Sequence, residues 1–260
     1  PDELGTIFSG SGVVDQKNTA GFQVGNEKTL VCIYTSAGGT SDISKGKPFT
    51  QSIAYSNDCG RTWIKYEKNP VVPHIVGSNR DPKVIWHEPT ERWVMALYLD
   101  GNEYMILTSP NLKEWTGQST VHIKGAGECP DIFELPVDGD ISNKKWVFWG
   151  ANGNHLIGNF DGARFHAESE VLRTEWGANS YAAQTWSDIP ETDGRRIQIA
   201  WMSGGKYPDM PFNQQMSFPC ELTLRTTSNG IRLFKRPINE IVNIYGEKHV
   251  WYDCQLVKSM

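Results

Sequence analysis

Arg80-Asp81-Pro82-Lys83-Val84-Ile85-Trp86 runs into a turn at His87–Arg92, then Trp93-Val94-Met95-Ala96-Leu97-Tyr98, a turn at Asp100-Gly101-Asn102, Tyr104-Met105-Ile106-Leu107-Thr108-Ser109, and Leu112-Lys113-Glu114-Trp115. The stretch from 128 repeats the pattern. Glu128-Cys129-Pro130-Asp131-Ile132-Phe133 leads through Asp138-Gly139-Asp140 to Trp146-Val147-Phe148-Trp149, then His155–Phe160 and Asp161-Gly162-Ala163-Arg164-Phe165. Pro82 and Pro130 stand 48 residues apart, and Trp115 and Phe165 stand 50 apart. Each unit reads as four strands separated by turns, and a repeat of about 50 residues with four strands is a propeller blade.

The pattern extends both ways. Upstream, Phe8–Asp15 precedes Leu30–Tyr34 and ends near Trp63; downstream, Tyr181–Trp186 precedes Ile197–Met202. Four units are expected, at about 8–72, 80–123, 128–173 and 181–235. The chain starts at Pro1, inside a pattern, so part of another blade is expected upstream. The first strand of a blade lines the central channel, which predicts that Arg80-Asp81, Glu128 and Tyr181 meet at one mouth. Past 236 the repeat stops, and Ile238–Val242 reads as a short helix or linker.

Composition fits an all-β chain and excludes other classes. Of 260 residues, 11% are aromatic, and 25 Gly and 14 Pro supply many tight turns. No run approaches the ~18 apolar residues of a membrane helix, so no membrane partner is expected. The net charge of -5 and the lack of a basic stripe argue against nucleic acid. Cys32, Cys59, Cys129, Cys220 and Cys254 have no paired spacing and read as free thiols, and the six histidines show no metal-ligand spacing. No metal or cofactor is expected. Ser9-Gly10-Ser11-Gly12 lacks the Lys and the following helix of a phosphate loop.

Asp81 and Glu128 are the candidate catalytic pair, because two carboxylates in one pocket can divide acid and base work when their surroundings separate their pKa values. Glu128, between Gly127 and Cys129-Pro130, is expected to be raised by partial desolvation and to donate a proton, while Arg80 keeps Asp81 ionised. Ser56-x-Asp58-x-Gly60-x-Thr62-Trp63 reads as an Asp-box, a hairpin clip whose Trp plugs between strands. Trp149, Trp186, Trp201 and Tyr181 are aromatics that could line a sugar site, although most Trp in such a fold pack between blades.

Taken in order, Phe8–Asp15, Arg80-Asp81-Pro82-Lys83, Glu128-Cys129-Pro130-Asp131, Tyr181–Trp186 and Met210-Pro211-Phe212-Asn213-Gln214-Gln215 resemble glycoside hydrolase family 32, the levanase, inulinase and invertase family, in its bacterial fructan β-fructosidase branch. The resemblance covers essentially the whole chain. It implies a five-bladed β-propeller over 1–240 with an incomplete first blade, and a linker or the start of a truncated C-terminal β-sandwich over 241–260. It implies retaining hydrolysis of β-fructofuranosyl linkages in levan, inulin or sucrose. By the same resemblance Glu128 is the acid/base and Asp81 the transition-state stabiliser, while Arg80, Phe8, Ser9, Tyr181 and Trp201 bind the terminal fructose. Family members that act on polymers are often exported, which favours an extracellular or periplasmic site.

The chain departs from the family at three places. The nucleophilic Asp of the family's Trp-Met-Asn-Asp-Pro-Asn-Gly-like motif has no match, so no nucleophile is expected in this chain and the fragment is expected to be inactive. Gly204-Gly205-Lys206 and Glu175-Trp176-Gly177 differ from the commoner Asn-Trp-Gln-like and Asp-Tyr-Gly residues. A fructosyltransferase or a non-catalytic sugar-binding propeller are the alternatives, and a protein-scaffold propeller would bind no fructose at all.

Overall fold

The computed structural model describes residues 1–190, 192–250 and 252. Among these residues the regular structure is β, with three short 3-10 helices. Strands β1 (Thr6–Asp15), β2 (Thr29–Ala37), β3 (Thr50–Ser56) and β4 (Ile64–Lys65) form an antiparallel sheet in chain order. Strands β5 (Arg80–His87), β6 (Arg92–Asp100), β7 (Glu103–Ser109) and β8 (Thr116–His122) form a second. The third unit is β9 (Asp131–Val137), β10 (Asp140–Trp149), β11 (Asn154–Phe160) and β12 (Phe165–Ala167), with the short β13 (Leu172–Arg173) also on β11. The fourth pairs β14 (Ser180–Thr185), β15 (Arg196–Met202), β17 (Cys220–Thr227) and β18 (Gly230–Pro237), with β16 (Gln215–Met216) beside β15. A single parallel bridge, Leu224 to Val137, joins the last two units into one ten-stranded sheet.

The apolar runs fail to alternate because middle strands are buried on both faces. In β6, Trp93, Met95 and Leu97 pack with Val31, Ile33 and Ile53 of the first unit. The intervening Val94, Ala96 and Tyr98 pack with Ile132, Phe148 and Leu156 of the third. A further cluster joins Phe133, Val147 and Trp149 to Ala183, Leu222 and Leu224 of the fourth. The units therefore stack face on face in chain order, each buried side chain of this size contributing about 1.5–3 kcal/mol of transfer free energy.

One irregularity recurs in the first strands. Phe8-Ser9 bulge opposite Thr35, Asp81-Pro82 opposite Leu97, and Ala182-Ala183 opposite Ala200. Each is a two-for-one bulge, which re-aims side chains and bends the strand. Asp81 and Ala182 take φ of 60° and 51°, and Cys129 takes 48° at the matching place in the third unit. Glu128 was expected at a strand start. It lies instead in the loop before β9, because Pro130 has no N–H and pairing with β10 begins at Asp131.

The Ser56–Trp63 clip forms as expected: Gly60 N–H donates to the Ser56 hydroxyl (2.9 Å), Thr62 N–H to Asp58 Oδ1 (2.9 Å) and Trp63 Nε1 to Gly60 O (3.0 Å). The Thr62 hydroxyl and N–H, with the Ser56 hydroxyl, pull Asp58 down to about 2. The Trp63 ring, however, is only part-covered, 43% exposed beside Leu30 and Val31 of β2. At the C-terminal end, Asn239–Ile244 is a 3-10 helix, and residues 251 and 253–260 of the expected linker, with Cys254, lie outside the described residues.

Candidate active site

The bulges bring Arg80, Asp81, Glu128 and Tyr181 into direct contact. Arg80 reaches both carboxylates: its Nη2 donates to Glu128 Oε1, and its Nε lies 3.8 Å from Asp81 Oδ2. Its Nη1 donates to the carbonyl of Ser78 (2.7 Å), and its guanidinium lies over the Tyr98 ring, 4.8 Å from the centroid. The Tyr181 hydroxyl donates to Glu128 Oε2 at 2.9 Å. Asp81 is buried and accepts from the backbone N–H (3.3 Å) and thiol (3.4 Å) of Cys129. Its own N–H donates to Thr35 Oγ1 (3.0 Å), whose hydroxyl donates to Gln51 Oε1 (2.7 Å).

The electrostatics reverse the sequence-based expectation. Desolvation does push Glu128 upward, but the Arg80 and Tyr181 hydrogen bonds and the Arg80 charge outweigh it and hold Glu128 below the usual range. Burial raises Asp81, because the Cys129 donors and the more distant Arg80 do not compensate for lost water. Arg80 thus serves Glu128 more than its sequence neighbour. The Tyr181 phenol is pushed up by burial and by donating to Glu128.

The other expected residues sit farther out. Trp201 pairs opposite Tyr181 in the sheet, its ring edge-on at 6.5 Å and 37% exposed. Phe8 is 43% exposed and packs edge-on against Phe49 at 5.7 Å. Phe8 and Ser9 lie opposite Thr35 in the sheet, and the Thr35 hydroxyl accepts from the Asp81 N–H. Trp186 is half-exposed, whereas Trp149 is fully buried against His155 and lines no site.

Sequence reasoning missed Thr35, Tyr98, Tyr104 and the role of Cys129. The repeat held a signal for two of them. Cys129 occupies the bulge position of Asp81, and Tyr98 opposes Arg80 as Trp201 opposes Tyr181. Tyr104 is fully buried, and its hydroxyl donates to the carbonyl of Gly127, next to Glu128. A Cβ on Gly127 would meet the Tyr181 hydroxyl at 2.7 Å, so any larger residue there would push that hydroxyl off its bond to Glu128. Tyr104→Phe keeps the ring and strands the Gly127 carbonyl. It is expected to cost about 1–3 kcal/mol in urea denaturation. A change under a few tenths would mean water serves that carbonyl equally well.

Residues 1–237 match the model of the glycosyl hydrolases family 32 N-terminal domain. The chain belongs to glycoside hydrolase family 32. Within the family, a levanase of Bacillus subtilis (strain 168) is 45% identical over 96% of this chain and 39% of its own length. A levanase of Bacillus sp. (strain L7) is 37% identical over 94% of this chain and 29% of its own. Among solved structures, exo-inulinase from Aspergillus awamori superposes with a TM-score of 0.77 at 28% identity, over 89% of this chain and 53% of that one. A fructofuranosidase from Schwanniomyces occidentalis, complexed with fructose, gives 0.77 at 31%, over 89% and 48%. The family-32 chain described here thus spans about two fifths of the B. subtilis levanase and about half of these solved chains.

Proposed function

We propose that the four stacked units are blades of a five-bladed β-propeller whose mouth carries the site of a retaining β-fructosidase. The substrates are fructans such as levan or inulin, or sucrose. The observation that carries this reading is the single cluster in which Arg80 bridges its neighbour Asp81 and Glu128, which stands 48 residues from Arg80 in the chain. In the proposed reaction Glu128 protonates the leaving oxygen and then activates water, and Asp81 accepts fructose hydroxyls and stabilises the oxocarbenium-like state. Arg80 and Tyr181 hold the sugar and the acid, with Trp201, Phe8 and Ser9 around the fructose. This chemistry needs no metal or cofactor.

A retaining reaction also needs a carboxylate placed to attack the anomeric carbon. Two donors from Cys129 already hold Asp81 Oδ2, which suits a carboxylate fixed in place to hold sugar hydroxyls and not one free to attack. Among the described residues no third carboxylate forms a hydrogen bond or ion pair with Arg80, Asp81 or Glu128. The hold of Cys129 on Asp81 favours, for these 260 residues alone, a second reading as a sugar-binding unit.

Calorimetry with fructose and product analysis on levan, inulin and sucrose test both. The 260-residue chain is expected to bind fructose, to lose about ten- to hundredfold affinity in Asp81→Asn, and to release no fructose. Release of fructose would show that a carboxylate within the chain attacks; failure to bind fructose would remove the proposed specificity.

A further inference from the structure

The loops around Glu128 form a continuous rim. Ala151 N–H donates to Glu128 O (2.9 Å), and Asn152 Nδ2 donates to Gly125 O (2.6 Å). On its other side the same loop takes the next one, since Thr174 N–H donates to Gly153 O (3.2 Å). Glu175 fits so closely over Gly153 that a Cβ there would fall 2.5 Å from its Cγ, and its carboxylate is paired with Lys235 with little exposure of either. Arg173 Nε donates to Glu175 O (2.6 Å).

Between these fixed residues and Tyr181 stands Trp176, 79% exposed. The Arg173 guanidinium lies 5.4 Å from its ring centroid. The chain just before Trp176 is thus held twice, at Thr174 by the backbone and at Glu175 by a shielded ion pair, yet the largest apolar side chain of the loop stays in water. An indole presented in this way suffers little ordering cost on binding. Its flat apolar face matches the C–H face of a sugar ring, while the Arg173 guanidinium beside it offers donors for hydroxyls. On a rim continuous with the Glu128 loop, the ring is placed to meet a part of the ligand outside the pocket.

We propose that Trp176 is an outer stacking site for an extended fructan chain, one or more sugar units away from the residue held at Glu128. This inference rests on the fructosyl reading of the site and narrows it to polymeric substrate.

Native electrophoresis through gels containing levan, beside calorimetry with fructose, tests it on the 260-residue chain. Trp176→Ala is expected to weaken levan retardation about five- to tenfold, as loss of one aromatic stacking contact predicts. Fructose affinity is expected to stay unchanged, and Trp176→Tyr to keep most of the levan affinity. If the unsubstituted chain binds fructose and Trp176→Ala leaves levan retardation as it was, the stacking site is wrong and the fructosyl reading stands. Equal loss for fructose and levan would also overturn it, because the ring would then act on the inner pocket. If the unsubstituted chain binds neither sugar, the fructosyl reading fails and the outer site fails with it.

Discussion

Lys83→Met is expected to cost the fold about 3 kcal/mol, the lower part of the range for breaking a buried ion pair from one side. Lys83 and Asp131 have side chains 3% and 0% exposed, with Nζ 3.5 Å from Oδ1. The same Nζ donates to Thr185 O (2.5 Å), and Thr185 N–H donates to Asp131 Oδ2 (2.6 Å). Three first strands, β5, β9 and β14, are locked at this point. Met fills a similar volume, so the loss is electrostatic and not a cavity. Asp131 would keep only backbone donors and the field of Arg196, which acts on it from a distance and places the cost at the low end. Burial lowers the Lys83 pKa, and Asp131 restores it only in part. The unfolded chain then binds more protons between the folded pKa and the ordinary lysine value, so the fold gains stability as pH rises through that window. Lys83→Met should remove that rise as well. Adding Asp131→Asn should return about 1–2 kcal/mol, because the stranded charge is gone. Urea denaturation of the three variants decides; a single-variant cost below about 1 kcal/mol would mean the pair contributes no more than an apolar substitute.

That lock was invisible in the sequence, while the repeat around it was not. Runs such as Trp93–Tyr98 are legible because burial on both faces removes alternation, and the turns between them carry Gly, Asp and Asn at steady spacing. The meeting of Arg80, Asp81, Glu128 and Tyr181 follows from their equivalent places in the repeat. Lys83 and Thr185, by contrast, are 102 residues apart, and neither residue type marks a lock by itself. The charge states of the pair were misjudged for a related reason. Sequence adjacency ties Arg80 to Asp81, but the bulge turns the guanidinium so that its terminal nitrogen meets Glu128 and only Nε approaches Asp81. A repeat reports which backbone positions are equivalent; it does not report which way a four-carbon side chain turns once a bulge has re-aimed it. Trp149 shows the same limit, because an aromatic that could line a pocket or fill a core is settled by which face of the strand it occupies.

In a form of the protein that turns over fructosyl substrates, Glu128→Gln is expected to lower kcat by about 10²–10⁴, the contribution of a positioned general acid. Fructose affinity should survive, since the amide oxygen can still accept from Arg80 or Tyr181. The free site holds Glu128 ionised, yet the proposed first step needs it protonated. Sugar hydroxyls resolve that conflict if they draw Arg80 away, because desolvation, the largest influence on Glu128, is then opposed by the Tyr181 hydrogen bond only. The protonated form is therefore scarce in the free protein, and the Glu128 ionisation should set the alkaline limb of kcat/KM. Arg80→Gln removes the largest opposing influence, so that limb should move to higher pH while fructose affinity falls. A pH profile of the unsubstituted protein and of Arg80→Gln, with Glu128→Gln assayed beside them, separates the roles. An unmoved limb would mean that another group titrates there, and full turnover by Glu128→Gln would remove Glu128 as the proton donor.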